Sequence, residues 1–282
     1  MRGCACGDRE GVASGHTGIA HMSCLAEQAK ILCAEAEENN LELKARKAWE
    51  RWHTCSLCEQ KHHGVVRCAL GWACWKTYVG RPERDSFRRD AMTLLGNGLN
   101  AADEHEAALS VRETELSTLQ RRDAPEKSLL GVKNNLSNTY AALGRHEQSL
   151  CLQQDVYSGC IMFFGEEYRD TLVAALNYAS SLLDLQRSEE ARALMRKTIP
   201  VAQRVLGESH ELTLQMRRTY ACALIKDPGA TLGDFRKAVT TLEETTRTAR
   251  RVLGNSHPIV AETERTLQNA RAALGAHGLT SG

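Results

Sequence analysis

The sequence has no long hydrophobic run. Its longest apolar stretches, Ala69 to Trp75 and Ile161 to Phe164, fall far short of the ~18 residues a membrane-spanning helix requires, so no membrane span is expected. It also lacks an excess of either charge, since 36 Lys and Arg stand against 35 Asp and Glu. No global field draws such a chain to nucleic acid or an anionic surface. The arginine pairs Arg88-Arg89, Arg121-Arg122, Arg217-Arg218 and Arg250-Arg251 are scattered and offset by nearby acids, which is the pattern of a solvated face rather than a nucleic-acid stripe. Where a secretory leader would need a basic start and an apolar run, the chain carries Cys4, Cys6, Asp8 and Glu10, so a cytoplasmic location is expected. A phosphate-binding glycine loop, a G-x-S-x-G elbow and an H-E-x-x-H pair are all missing, and an independent enzyme is not expected.

Cysteine is scarce beyond residue 74, where only Cys151, Cys160 and Cys222 occur, but eight of the eleven cysteines lie within the first 74 residues. In a reducing compartment, clustered cysteines act as thiolate ligands rather than disulfides. Zn2+ takes four N or S ligands at tetrahedral corners, and a short spacing lets one turn present two of them. Three pairs fit this chemistry: Cys4-x-Cys6, His21-x2-Cys24 and Cys55-x2-Cys58. Cys33, in an alanine- and glutamate-rich helical stretch, reads as a core residue. So do Cys68 and Cys74, which flank an apolar run containing Trp72. Trp49 and Trp52 are expected to cover the zinc core, and His62-His63 to sit solvated in a polar turn.

From about residue 90 the sequence repeats. Leu130, Leu172 and Leu214 are 42 apart, and the same step carries Leu94 to Leu136, Tyr178 and Tyr220, and Ala107 to Ser149 and Ala191. An insertion of five around Asp227 to Gly233 moves the next match to Ala238. Within one unit, Asn135 to Leu143 is a helical pattern, Gly144-Arg145 a turn, and Glu147 to Phe163 a longer helix. Each unit closes on a glycine suited to a left-handed cap, Gly165, Gly207 or Gly254, and Pro258 is placed in a first turn. Such hairpins cannot bury their apolar faces alone and must stack into a solenoid with a concave inner surface. The first unit is the least regular, with Gly98 where later units have Tyr140, Leu182 and Leu224, and Asp123 in place of the closing glycine. His210 and His257 recur at one turn position and read as turn structure. The expected fold is therefore mainly α: a small zinc-binding module over 1–80, a linker at 81–87, a helical repeat array over 88–274 with about four hairpins and a closing helix, and a tail at 275–282.

The segments "NLSNTYAALGRHEQSL" with "FGEEYRDTL", "NYASSLLDLQRSEEARAL" with "RVLGESHELTL", and "RVLGNSHPIV" resemble the long tetratricopeptide repeats of kinesin light chains. That resemblance implies a groove that binds a protein or peptide, with Asn134, Asn138, Ser180 and Arg218 facing inward. "GCAC", "AHMSCL" and "CSLC" together resemble the second to fourth ligand pairs of a RING-CH finger. In that family the pairs alternate between two ions, which joins Cys4 and Cys6 to Cys55 and Cys58 at one zinc site and leaves His21 and Cys24 for another. The second site is completed by an upstream C-x2-C pair or by His16, Cys33, His62 or His63. RING-CH proteins are generally ubiquitin ligases that bind a ubiquitin-conjugating enzyme through an apolar patch beside the zinc loops. The chain is thus expected to be an intracellular zinc-binding adaptor, with a RING-CH ligase whose repeats select the substrate as the alternative.

Overall fold

The computed structural model describes residues 21–39 and 42–280, and the described residues form twelve α-helices. In chain order these are α1 (Met22–Glu38), α2 (Glu42–Trp49), α3 (Gly64–Tyr78), α4 (Ser86–Ala101), α5 (His105–Arg121), α6 (Glu126–Ala142), α7 (His146–Phe164), α8 (Arg169–Asp184), α9 (Ser188–Leu206), α10 (Glu211–Lys226), α11 (Leu232–Leu253) and α12 (Pro258–Thr280). They fall into two compact units, the first ending at Pro125 and the second beginning at Glu126. Among the described residues no helix is long and apolar enough to cross a membrane.

The first unit is built on an aromatic cluster. Tyr78 of α3 stacks on Phe87 of α4 with ring centroids 5.5 Å apart, and Trp49 packs 5.2 Å from Phe87 and 5.5 Å from Tyr78. Trp52, Cys33 and Cys74 are buried in the same cluster, so both tryptophans belong to the helical core. The expected linker at 81–87 lies inside this unit and is fixed there. Arg81 forks onto both carboxylate oxygens of Glu37 at 2.8 Å and lies over the Tyr78 ring, while Asp85 caps α4 by accepting from the Arg88 N–H. A bidentate guanidinium pair that also stacks on an aromatic ring holds a segment in place. The α4–α5 hairpin accordingly packs with the N-terminal helices. Glycine brings α3 and α4 close enough: a Cβ on Gly98 would lie 2.8 Å from the Cys68 Cα, and one on Gly71 2.9 Å from the Leu94 carbonyl oxygen.

The first hairpin also runs one residue out of the expected phase. The left-handed turn residues Asp103, Gly144 and Gln186 have φ of 62°, 72° and 58°, and they are separated by 41 and then 42 positions. Leu95 and Ala108 are therefore the buried counterparts of Leu136 and Ser149, and Leu99, not Gly98, stands where the later units have Tyr140. Asp123, which lies 42 positions before Gly165 and so one residue short of the closing position at a step of 41, has a positive φ of 49°, which a short polar side chain tolerates.

In the second unit α6–α7, α8–α9 and α10–α11 are antiparallel hairpins and α12 closes the stack. The core runs through Leu172, Leu182, Met195, Leu224 and Leu242. The first helices α6, α8, α10 and α12 pack on one another in succession, whereas the backbones of α7, α9 and α11 stand farther apart, with α9 reaching α11 through the Arg192–Asp234 pair at 3.8 Å. The stack is thus closed on the side of the first helices and splayed on the other, which makes the first-helix face concave. The recurring histidines are caps: His210 Nδ1 accepts from the Leu212 N–H at 3.1 Å and His257 Nδ1 from the Ile259 N–H at 3.3 Å. In the inserted turn Thr231 and Asp234 form a reciprocal capping box, and Arg192 of α9 pairs with Asp227 at 3.5 Å as well as with Asp234 at 3.8 Å. Gly165, Gly207 and Gly254 do not adopt the expected left-handed helical cap. Their φ of 83°, 94° and 89° comes with ψ of 172°, 159° and 154°, a region that is essentially glycine-only.

Two glycine substitutions test this packing. Gly98→Ala, which drives a methyl into the α3 backbone, and Gly207→Ala, which forces alanine into a glycine-only conformation, should each cost about 1–3 kcal/mol. The check is a urea melt, and an unchanged midpoint for either variant would refute the corresponding contact.

Candidate functional site

The Cys55-x2-Cys58 pair sits at the end of a short hairpin. Thr54 and Lys61 form an antiparallel bridge, the Cys55 N–H donates to the Gln60 carbonyl at 2.8 Å, and the His62 N–H donates to the His53 carbonyl at 2.8 Å. Glu59, at φ 58°, reverses the chain, and its N–H donates to the Cys55 carbonyl at 3.0 Å. Within the turn the Leu57 N–H donates to Cys55 Sγ at 3.4 Å. One loop therefore presents both sulfurs and supplies a donor that favours a thiolate, the chemistry a zinc ligand pair requires. Cys55 is buried and Cys58 half-buried.

His21 and Cys24 lie at the start of α1, where His21 is the N-cap and its Nδ1 is 4.0 Å from Cys24 Sγ, both exposed. The 21/24 and 55/58 spacings therefore each bring their own two residues together. Among the described residues no three His, Cys, Asp or Glu side chains are grouped to hold a metal ion. Cys4, Cys6 and His16 lie outside the described residues. Cys33 is in the core among Trp52, Cys74 and Tyr78, where burial pushes its thiol up. His62, expected to be solvated, is 4% exposed, because the hairpin strand that carries it folds back on the chain around His53.

On the concave face, two of the four expected groove residues are tied to neighbouring helices by amide hydrogen bonds. Asn177 Nδ2 of α8 donates to Asn134 Oδ1 of α6 at 3.0 Å, and Gln153 Nε2 of α7 donates to Asn138 Oδ1 at 3.2 Å. Ser180 turns its hydroxyl back to the Leu176 carbonyl of its own helix at 3.0 Å. Arg218 of α10 pairs with Glu262 of α12 at 3.2 Å. The four residues thus share the first-helix face without converging on one point. Asn177 and Glu262, which sequence reasoning passed over, are the partners that link neighbouring repeats. Their trace in the sequence is diagonal, since Asn177 lies 42 positions after Asn135 rather than after Asn134.

Between α6, α7 and α8 this face opens into a cavity of about 370 Å³ with Leu130, Val156 and Cys160 among its apolar lining and Lys127, Asn134 and Asp170 among its polar lining. Gly131 creates the opening: at the same repeat position α8 has Val173, and a Cβ on Gly131 would meet no atom within 4 Å. Further along, the Cys222 thiol lies on the same face of α10. Burial pushes it up, against the opposing pull of Arg218, Lys226 and a hydrogen bond with Thr266.

A tetratricopeptide repeat family model matches residues 171–211, the span of α8, α9 and the start of α10. No curated protein matches the chain. Among solved structures the chain is similar to the crystal structure of the putative kinesin light chain nearly identical TPR-like repeats of Podosopora anserina, at 17% identity and a TM-score of 0.47, over 83% of this chain and 98% of that one. It is also similar to BtubC (BKLC) of P. vanneervenii, at 13% identity and a TM-score of 0.47, over 92% of this chain and 91% of that one. A third similarity is to the TPR2AB-domain of yeast Sti1 in its pHSP90 complex, at 12% identity and a TM-score of 0.31, over 88% and 99%.

The raised Cys222 thiol predicts slow chemistry. A thiol held above its usual range has little thiolate at pH 8, and the thiolate is the nucleophile. Cys151, which is exposed, should be alkylated by iodoacetamide well before Cys222. Peptide mass spectrometry of a time course checks the order, and equal rates would contradict it.

Proposed function

We propose that this protein is an interaction adaptor whose concave first-helix face binds a segment of another protein. The observation that carries the reading is the cavity at Gly131, an apolar depression with a polar rim between successive first helices. Such a depression accepts one apolar side chain, and the amides of Asn134 and Asn177 around it can hold a backbone in register. We further propose that Cys4, Cys6, Cys55 and Cys58 hold one structural zinc ion. The Cys55–Cys58 turn supports this, since it presents both sulfurs and an N–H donor to one of them. A closed four-thiolate site supplies folding energy and no open position for catalysis.

The alternative, a ubiquitin ligase of RING-CH type, draws on one feature. Leu57 in the cysteine turn is 69% exposed, and Val65 and Trp72 on the following helix also leave apolar surface uncovered. A conjugating enzyme would grip such a patch. Robust autoubiquitination by the full chain, abolished by Cys55→Ser, would favour the ligase, and its absence across a panel of conjugating enzymes favours the adaptor.

Gly131→Val should fill the groove cavity without strain. It is expected to leave the melting temperature unchanged or raised, because a helical glycine costs roughly 0.5–1 kcal/mol relative to alanine. Peptides selected from a phage-displayed library on the wild-type chain should lose at least about tenfold in affinity for this variant, and undiminished binding would reject the groove. For the metal, chain purified without chelator should carry at least one zinc by elemental analysis, and Cys55→Ser should carry less. A content well below one per chain would reject the zinc site.

A further inference from the structure

The far end of the stack carries a second surface with chemistry of its own. Inside the second unit, α11 lies against the face that α9 and α10 present: Tyr220, Ala221 and Leu224 of α10 are buried in one cluster with Ala238 and Leu242 of α11, and Lys237 sits over the Tyr220 ring at 5.3 Å. One repeat later, α11 and α12 present the corresponding face. Forty-seven positions carry Ile199 to Thr246, Ala221 to Gln268 and Leu224 to Arg271. The apolar stacking surface has become polar, and it encloses a cleft of about 850 Å³.

Positive charge dominates this cleft. Of its lining residues four are arginines and two are glutamates. Both glutamates are committed within the protein, Glu264 to Arg250 at 2.7 Å and Glu243 to Arg271 at 2.7 Å. Arg247 and Arg251, four residues apart on α11 and both exposed, carry no ion pair among the described residues. A second observation points to a ligand. Thr246 lines the cleft, is 5% exposed, and its Oγ1 has no hydrogen-bond partner among the described residues. Buried hydroxyls are ordinarily satisfied, and here two uncommitted arginines line the cleft with it.

We infer that the α11–α12 cleft is a docking site for an acidic amphipathic helix of another protein, seated where the next second helix of the stack would lie. The shape argument is that the equivalent face one repeat earlier is filled by a helix. The charge argument is that the lining leaves a surplus of two positive charges on one edge, which carboxylates along one side of a helix would meet. Leu267, buried at the cleft floor, provides the apolar seam for the other side. This site is separate from the concave groove, so a partner there leaves the groove accessible.

The test uses the full chain and a fluorescent amphipathic helical peptide of about 20 residues, with leucine on one face and glutamate on the other. Anisotropy should show binding that weakens as salt is raised, and a counterpart with glutamine for glutamate should bind at least about tenfold more weakly. The double variant Arg247→Glu, Arg251→Glu should lose at least about tenfold in affinity with its melting temperature unchanged, since both side chains are exposed. Thr246→Val should weaken binding severalfold and leave the salt dependence in place. Arg204→Glu, the same change at the position equivalent to Arg251 one repeat earlier, should bind normally. Equal binding of the glutamate and glutamine peptides would overturn the proposal. So would full affinity in the double variant, an equal loss in Arg204→Glu, or binding of inorganic polyphosphate or duplex DNA in place of the peptide.

Discussion

A helix in an antiparallel hairpin can bury only one stripe against its own partner, and the apolar residues on its other flank stay wet until a neighbouring hairpin covers them. That constraint organises the second unit. It requires small residues where helices cross closely, which is why Ser137, Ala179 and Ala221 follow one another at 42-residue steps on the first helices, and Ser149 and Ala191 on the second. Where the small residue is serine the contact is a hydrogen-bonded one, with the Ser137, Ser149 and Ser181 hydroxyls linked at 3.0 Å across three helices. It also requires each chain reversal to be tight, which the glycines at 165, 207 and 254 provide by entering backbone space closed to other residues. The concave face and the polar cleft both follow, because one is the side on which the first helices converge and the other is the stacking face left at the end.

Much of this was legible from spacing alone. The 42-residue step located four hairpins and a closing helix, and the place of the inserted turn came from the shift to Ala238. The phase of the first hairpin did not, for a specific reason. Leu94-Leu95 and Ala107-Ala108 are doublets, so a pattern of large and small residues fits equally well at a step of 41 or 42. The left-handed turn at Asp103 breaks the tie, but an aspartate there does not announce itself as Gly144 does. Gly98 was similarly ambiguous. It is an unfavourable helix residue by propensity, and only the neighbouring α3 backbone explains its presence.

The site residues divide along the same line. Short-range relations were readable: the Cys55–Cys58 turn, the His21–Cys24 pair and the capping histidines are all set by local backbone geometry. Relations between distant segments were not. The partner of Asn134 is Asn177, 43 positions on, rather than Leu176 in strict phase. The segment at 81–87 looked like a linker because it is polar and holds Pro82, yet polarity says nothing of whether an arginine such as Arg81 finds a carboxylate 44 residues earlier.

The buried ion pair of the first hairpin bears on the same ambiguity of phase. Arg112 is fully buried and reaches Glu115 at 2.9 Å, the Thr93 carbonyl at 3.1 Å and Asn97 Oδ1 at 2.6 Å, while the Thr93 hydroxyl donates to Glu115. Later hairpins place Gln153, Met195 and Leu242 at that position, so the fold does not need a charge there for stability. Burial pulls the guanidinium down in pKa and Glu115 opposes it, which is the balance that makes such pairs poor sources of net stability. What the pair supplies is register. The leucine and alanine doublets would let α4 rotate against α5 by one residue, about 100° around the helix axis, and still bury an apolar side chain. The guanidinium cannot follow, because the same rotation would withdraw the Thr93 carbonyl and Asn97 and leave a buried charge short of partners. Gly96 completes the lock, since a Cβ at that position would lie 2.6 Å from the Arg112 Cζ. The hairpin with the least informative apolar pattern is thus the one that carries a polar network to select its phase.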